Sequence, residues 1–509
     1  MSLLMRCLLF ILLAVAAMPA AAQVQVNRKH QETVLAPYWP EAKDLALLVP
    51  EVMSPDGRRL AYVKGIGTAA EISVENPRRK KKEPKKVYPQ YEVVFDGHPQ
   101  KPYAKVDGLI FSPDSKWLAY AASTGEGQWK VVVNGREEET YQRVGMPQFS
   151  PDSKRLAYVA LQPDGGRMVV VNGRPGKPYE MILQGRIYFS PDGRRLAYAA
   201  RVNKRWLAVV DDQEGPAFDF LGAVTGIQFS DDGSRMAYAA LSDVEAARQG
   251  KPAWNVILDG RKQPAYQNIG DLVFSPDGKR VAYAVQNAGP WRVSLDGSEQ
   301  KPYEAIGAGT LRFNADGQSL VYAAKQAEKW VIVKDNHASR PYDGVSDLLF
   351  SPNGKHLAAI VQSGPTELVV ANGQEQRIFD RVGGGTLVFS ADSTRLGYVG
   401  RANHKSYAVI GSVAAGKGAK GGKGESRAKK KTGYEMVGYL TFTPDNAHFV
   451  YAASDLRQAF TVIDDREATH RYDSIWNVQG ARLLFDSHKS FHYMAIKDGN
   501  IILVEEEVD

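Results

Sequence analysis

The chain has 509 residues and carries 64 Lys+Arg against 57 Asp+Glu, a formal charge of +7. Hydrophobic residues make up 44% and aromatics 10%, which excludes wholesale disorder, and a single Cys excludes a disulfide framework or a Cys-based zinc cluster. Scattered Gly and Pro without heptads exclude collagen and coiled coil.

The first 22 residues read as a secretory signal peptide. Arg6 precedes an apolar run from Leu8 to Met18, and small residues at Ala20 and Ala22 give the A-x-A cleavage pattern. An uncleaved anchor is the alternative, but the run is short for a hydrocarbon core of ~30 Å. Cleavage after Ala22 starts the mature chain at Gln23 and removes Cys7. The expected location is periplasmic or secreted, with no transmembrane segment in the mature chain.

One phrase organises the remainder. It reads MSPDGRRLAYVK at 53, FSPDSKWLAYAA at 111, FSPDSKRLAYVA at 149, FSPDGRRLAYAA at 189, FSDDGSRMAYAA at 229 and FSPDGKRVAYAV at 274. It continues with FNADGQSLVYAA at 313, FSPNGKHLAAIV at 350, FSADSTRLGYVG at 389, FTPDNAHFVYAA at 442 and a decayed FDSHKSFHYMAI at 485. Eleven copies at a period near 40 residues indicate a repeat architecture.

Each unit reads as four short strands. The first runs into the Phe. Ser-Pro-Asp-Gly then turns tightly, because Pro presets φ, Asp bonds nearby N–H groups and Gly accepts positive φ. The second strand carries Leu-Ala-Tyr-Ala. The third often opens on Trp (Trp129, Trp206, Trp254, Trp291, Trp330) and ends in pairs such as Asn134-Gly135 or Asp296-Gly297, type I′ hairpin signals. The fourth carries Pro-Tyr, as at Pro102-Tyr103 and Pro302-Tyr303, which suits an outer edge strand. Four antiparallel strands per unit, repeated radially, make an all-β chain of the β-propeller class.

The phrase F-S-P-D-G-x-R-L-A-Y resembles the WD-repeat-like unit of TolB-like propellers, over roughly residues 46–509. The same unit occurs in propellers of prolyl-oligopeptidase-family peptidases. The resemblance implies the fold. It implies no peptidase activity, since the α/β-hydrolase domain of that family is missing here. The smaller N-terminal domain of TolB is also missing, so TolB's partners do not carry over.

Eleven units exceed the four to eight blades usual for one ring, so two propellers are expected, 23–265 and 266–509, with one large ring as the alternative. The long interval after 229 contains a candidate helical turn at 241–248. The last unit lacks a fourth strand, which Val24-Gln25-Val26 or Thr33-Val34-Leu35 can supply.

Two inserts, 78–86 and 412–433, are basic and are expected to be disordered. Each contributes +6; removing them and Arg6 from the total leaves −6 for the folded body. Arg78, Arg79, Lys80, Lys81, Lys82, Lys85, Lys86, Lys429, Lys430 and Lys431 are candidate anion-binding residues. The inserts follow different strands and are expected on opposite faces. Neither interleaves aromatics with its charges, so no specific nucleic-acid platform is read.

No G-x-S-x-G, H-E-x-x-H or Walker A pattern occurs. His488 and His492 have i,i+4 spacing on a stretch read as turn and strand, where two ligands do not converge. The repeated Asp56, Asp114, Asp152, Asp192, Asp232, Asp277, Asp316, Asp392 and Asp445 are one per unit. They read as structural turn residues and not calcium ligands. The recurrent Trp residues read as blade packing. No catalytic residue, metal or cofactor is assigned. The expected function is that of an exported non-enzymatic scaffold binding a protein or polysaccharide partner. A hydrolase or lyase with a channel site invisible in sequence and an anionic-surface binder are the alternatives.

Overall fold

The computed structural model describes residues 25–26, 28–37, 51–76, 81–222, 226–413, 433–475 and 482–508. Among them, every regular element is a strand except one short helix, Val244–Arg248, capped by Asp243. The strands form eleven antiparallel blades, each built around one copy of the repeated phrase and numbered here in chain order. Blade 6 is typical: Asn268–Phe274, Val281–Gln286, Trp291–Leu295 and Ser298–Glu299 pair in that order.

The turn chemistry explains why each unit folds locally. In blade 6, Ser275 Oγ donates to Asp277 Oδ1 at 2.6 Å, and the N–H of Lys279 donates to the same oxygen at 3.2 Å. Gly278 sits at φ +69°. Between third and fourth strands, Asn134 (φ 45°) and Gly135 (φ 80°) form the left-handed pair that a type I′ turn requires. Asn134 Oδ1 also accepts from Leu118 N at 2.7 Å, and Asp296 Oδ1 from Val281 N at 2.9 Å. The turn residue therefore fixes the start of the second strand as well. The fourth strand differs from expectation: in several blades it is two residues long, after which Tyr alone bridges back, as Tyr303 does to Trp291. Pro302, lacking an N–H, interrupts the ladder.

Blades pack face to face through a size alternation in the second strand. In blade 6, Val281, Tyr283 and Val285 enter the core shared with blade 5, while Ala282 enters the core shared with blade 7. In most blades the Tyr or Phe of the fourth segment meets the second-strand Tyr of the next blade edge-on, as Tyr303 and Tyr322 do at 6.2 Å. Eleven buried clusters result, one per neighbouring pair, including one between blades 11 and 1.

That last cluster corrects the expectation of two propellers. Blades 5 and 6 pack continuously through Tyr266, Ile269 and Tyr283, so no ring boundary falls at 265/266. Met53 and Leu60 of blade 1 pack on Met494, Ile496 and Ile501 of blade 11, closing a single ring. The physical reason is that four strands and an alternating large/small face set the blade, whereas blade number depends on the small angle between neighbours. Sequence periodicity does not encode that angle.

Of the two N-terminal candidates for the missing fourth strand, the one containing Thr33-Val34-Leu35 supplies it, and Gln25-Val26 pairs elsewhere. His30–Pro37 pairs antiparallel with Asn500–Glu507 as the outer strand of blade 11. Gln25–Val26 pairs in parallel with Arg466–Ala468 at the edge of blade 10. Disorder over 78–86 is corrected in part. Lys81–Val87 pairs with Ala70–Asn76 in a two-stranded hairpin rising from blade 1. Seven consecutive cross-strand pairs satisfy its backbone despite the charge. Residues 78–80 and 414–432 lie outside the described residues. The attachment points lie on opposite faces: the hairpin joins second and third strands of blade 1, and 412–433 joins third and fourth segments of blade 9.

Candidate functional site: the channel wall and the face clefts

The first strands form the inner wall. They approach closely enough for carboxylate-to-backbone bonds between neighbouring blades: Gly309 N donates to Asp271 Oδ2 at 2.5 Å, and Gly385 N to Asp347 Oδ2 at 2.6 Å. Fourth strands of neighbouring blades are bridged by long side chains, as in Lys101–Glu137 at 2.7 Å and Lys177–Glu214 at 2.6 Å.

Two wall segments are nearly identical. Gly307-Ala308-Gly309-Thr310-Leu311 in blade 7 and Gly383-Gly384-Gly385-Thr386-Leu387 in blade 9 interrupt their first strands. In each, the Thr hydroxyl donates to the Gly carbonyl three residues back, at 2.6 and 2.7 Å, and accepts from the second strand at 3.0 and 3.1 Å. Gly309 (φ +73°) and Gly385 (φ +71°) take left-handed conformations with open space beside them. The carboxylates of Asp271 and Asp347 are thereby committed to shaping the loops. Elsewhere the wall exposes Met146, Arg312 and Ser346, an apolar, a cationic and a neutral polar side chain.

On the face carrying the second-to-third-strand turns, shallow clefts lie between blades. One, of about 360 Å³, is lined by Lys105, Glu126, Trp129, Gln142, Arg143 and Leu161. A second, of about 390 Å³, lies between blades 6 and 7 and is lined by Pro290, Tyr303, Glu304, Lys325 and Gln326 among others. Trp206, Phe220 and Trp254 form an edge-to-face row on this face, at 6.2 and 6.4 Å, beside the short helix.

The turn aspartates are spread around the opposite face. Asp56, Asp114, Asp152, Asp192, Asp232, Asp277 and Asp392 each accept from the Ser two residues earlier, and Asp445 from Thr443. Asp316 accepts from Gln318 N at 2.8 Å. The Ser hydroxyl and backbone bonds hold Asp192, Asp232, Asp277 and Asp392 below the usual carboxylate range. Among the described residues no group of three His, Cys, Asp or Glu gathers as a metal site. His492 is buried between Asp486 Oδ2 (2.9 Å) and the carbonyl of Asp56 (2.6 Å), at the seam of blades 11 and 1. Of the basic candidates, Lys81, Lys82, Lys85 and Lys86 lie on the second strand of the hairpin. Arg78, Arg79, Lys80, Lys429, Lys430 and Lys431 fall outside the described residues.

Two recurrent devices and one unique cluster escaped sequence reading. The Arg of Gly-x-Arg stitches blades: Arg235 lies 5.4 Å over the Phe274 ring, pairs with Asp259 at 2.9 Å and donates to the carbonyls of Gly278 and Lys279 at 3.1 and 2.9 Å. In several blades an acidic residue follows the fourth-segment Tyr or Phe and caps a turn in the next blade. Ala327 N donates to Glu304 Oε1 at 2.7 Å, and Asn403 N to Asp380 Oδ2 at 3.0 Å. Their recurrence was visible in sequence, but their partners lie one blade away. The third device, an ion cluster at the closure, pairs residues from the two ends of the chain and left no sequence signal. No helix of the described residues is long and apolar enough to cross a membrane.

No protein-family model and no curated protein matches the chain. Among solved structures it is similar to the crystal structure of the eukaryotic initiation factor, at 16% identity and TM-score 0.38, covering 72% of this chain and 87% of that one. It is also similar to the Dos1 propeller (14%, 0.32, 57% and 88%) and to TolB from Acinetobacter baumannii (14%, 0.25, 54% and 81%). The β-propeller assignment rests on the blades and the closed ring of this chain itself.

Proposed function

We propose that this chain is an exported, non-enzymatic β-propeller scaffold that binds a protein or polymer in its channel. The carrying observation is the closure of eleven blades into one ring. With neighbouring inner strands roughly 8–10 Å apart, such a ring leaves a channel on the order of 20–30 Å wide between backbones. That is too wide to enclose a metabolite and suits a polypeptide or polymer strand. The wall carboxylates Asp271 and Asp347 are engaged by their neighbouring loops, which supports a binding surface over bond-making chemistry at these two positions.

A photo-crosslinking residue at Ala308 or Gly384, compared with one at the exposed Leu456, tests the reading in extract from the native compartment. Adducts of one macromolecular species from the channel positions alone are expected. Adducts equally from Leu456, or none from the channel, overturn it. Export is tested by sequencing the mature N-terminus, expected at Gln23.

A second reading, contact with an anionic surface through the basic segments, is favoured by their charge of +6 each. Binding to an anionic polymer that weakens steeply with salt, and less so after deletion of 417–431, is expected of it.

A further inference from the structure

Most blade interfaces carry a carboxylate of their own on the face of the second-to-third-strand turns. Glu180, Asp219 and Asp343, each just after a fourth-segment Tyr or Phe, accept from a backbone N–H of the next blade at 2.7, 2.8 and 2.7 Å. Each also pairs with a cation beside it, Arg201, Arg205 and Lys329. Ala104, Gln142 and Gln267 stand at this position instead. Ala104 has no polar side chain, and the Gln267 amide donates to the carbonyl of Gly250. Gln142, between blades 2 and 3, is different. Its amide is exposed and has no bond among the described residues. The turn it faces in blade 3 is closed by its own Asp164, which accepts from Gly166 N at 2.9 Å.

Gln142 lines the cleft of about 360 Å³ between blades 2 and 3, near the small end of ligand clefts at ~300–1,000 Å³. Lys105 and Arg143 line it too, both exposed, and neither side chain has a bond or ion pair among the described residues. Glu126 at the rim is likewise unpaired, so two cations face one carboxylate. Trp129 is half-buried against the core shared by blades 2 and 3, and its indole N–H has no bond among the described residues. In the cleft between blades 6 and 7 the cations are engaged: Lys325 pairs with Glu328 at 3.0 Å, and Lys301 donates to the carbonyl of Asn336 at 3.3 Å. Backbone groups around Trp129 are engaged as well. Trp129 and Tyr141 exchange N–H to carbonyl bonds at 2.9 and 2.7 Å, and Gln142 N donates to the carbonyl of Leu161 at 3.0 Å.

We propose that the cleft between blades 2 and 3 binds an acidic sugar unit, a pyranose ring bearing a carboxylate, within an anionic polysaccharide. The sugar carboxylate supplies the negative charge that Glu180, Asp219 and Asp343 supply at their own interfaces, and Lys105 and Arg143 take it in charge-assisted bonds. The negative face of the Trp129 indole attracts the polarised C–H groups on the flat side of the ring. The Gln142 amide and the indole N–H bond its hydroxyls. An extended peptide has less to gain, because its recognition draws on free backbone groups and those here are paired. The adjoining charge suits a polymer: the hairpin strand with Lys81, Lys82, Lys85 and Lys86 joins second and third strands of blade 1, on this same face. The site lies outside the channel and stands without the channel reading.

Calorimetric titration of the mature protein with a short oligogalacturonate tests the proposal. Saturable binding is expected, at least tenfold tighter than that of a neutral maltooligosaccharide or an oligoglutamate of the same length. Arg143→Gln and Lys105→Gln, both at exposed positions, are each expected to weaken it by about tenfold. Gln142→Glu provides a carboxylate in the cleft itself. It is expected to weaken binding by at least tenfold while leaving the melting temperature unchanged or raised, which separates competition for the cations from loss of fold. No binding of the oligogalacturonate at millimolar concentration overturns the site. So does equal binding of the oligoglutamate or the neutral sugar, or full affinity in Arg143→Gln and Gln142→Glu. An affinity that falls only when Lys81, Lys82, Lys85 and Lys86 are replaced by Gln places binding on the hairpin and likewise overturns the cleft.

Discussion

Arg28 and Glu506, from opposite ends of the chain, meet as a buried ion pair at 3.6 Å, with side chains 1% and 0% exposed. Burial pushes the Glu506 carboxyl up, but hydrogen bonds from His470, Tyr493 and Thr461 and the His470 charge outweigh it, so it lies below the usual range. Removing one partner leaves the other charge buried. Glu506→Gln is therefore expected to cost about 3–5 kcal/mol in a denaturant titration of the mature chain. A loss under ~1 kcal/mol shows that the cluster does not hold the closure.

Stitching by arginine predicts a residue-specific cost. Arg235→Ala removes the contact with Phe274, the Asp259 pair and two carbonyl bonds to blade 6. A loss of about 1–2 kcal/mol is expected in chemical denaturation. Arg235→Lys is expected to recover less than half, since an ammonium cannot reach both carbonyls and the carboxylate as a planar fork does. Full recovery by Lys assigns the effect to charge alone.

The wall loops predict a conformational cost. Gly385→Ala meets no atom, yet holds φ at +71°. Its expected cost is about 1 kcal/mol, from backbone strain alone. Asp347→Asn weakens the bond to Gly385 N, and is expected to raise exchange at that amide without unfolding blade 8. An unaltered amide shows that the loop is held otherwise.

Acid stability follows from the turn carboxylates. Ser hydroxyls and backbone N–H groups lower Asp192, Asp232, Asp277 and Asp392, and Lys101, Lys130 and Tyr103 bring Glu137 down to about 2. A depressed folded-state value contributes stability above the unfolded value, near 4, that is lost as pH falls through the folded one. Melting temperature is thus expected to decline between about pH 4 and pH 2. Asp277→Asn, already neutral at that position, is expected to flatten the decline. An unchanged slope places the acid response elsewhere.

Much of the fold was legible because its chemistry is local. Ser275, Asp277 and Gly278 fold their own turn, and Asn134-Gly135 reverses its own hairpin. Tyr283 beside Ala282 marks which face packs on which neighbour. The candidate wall was less legible. Gly307–Thr310 and Gly383–Thr386 recur in sequence, but their bonds to Asp271 and Asp347 cross between blades.

Sequence alone determined the unit, its number of copies and the propeller class, since hydrophobic alternation and turn residues act within forty residues. Tertiary structure alone decided that the copies share one ring and that the basic stretch at 81–87 pairs as a strand. It also decided that Arg28 reaches Glu506. Each of these depends on the angle between packed sheets or on pairing between distant segments, and residue order constrains neither.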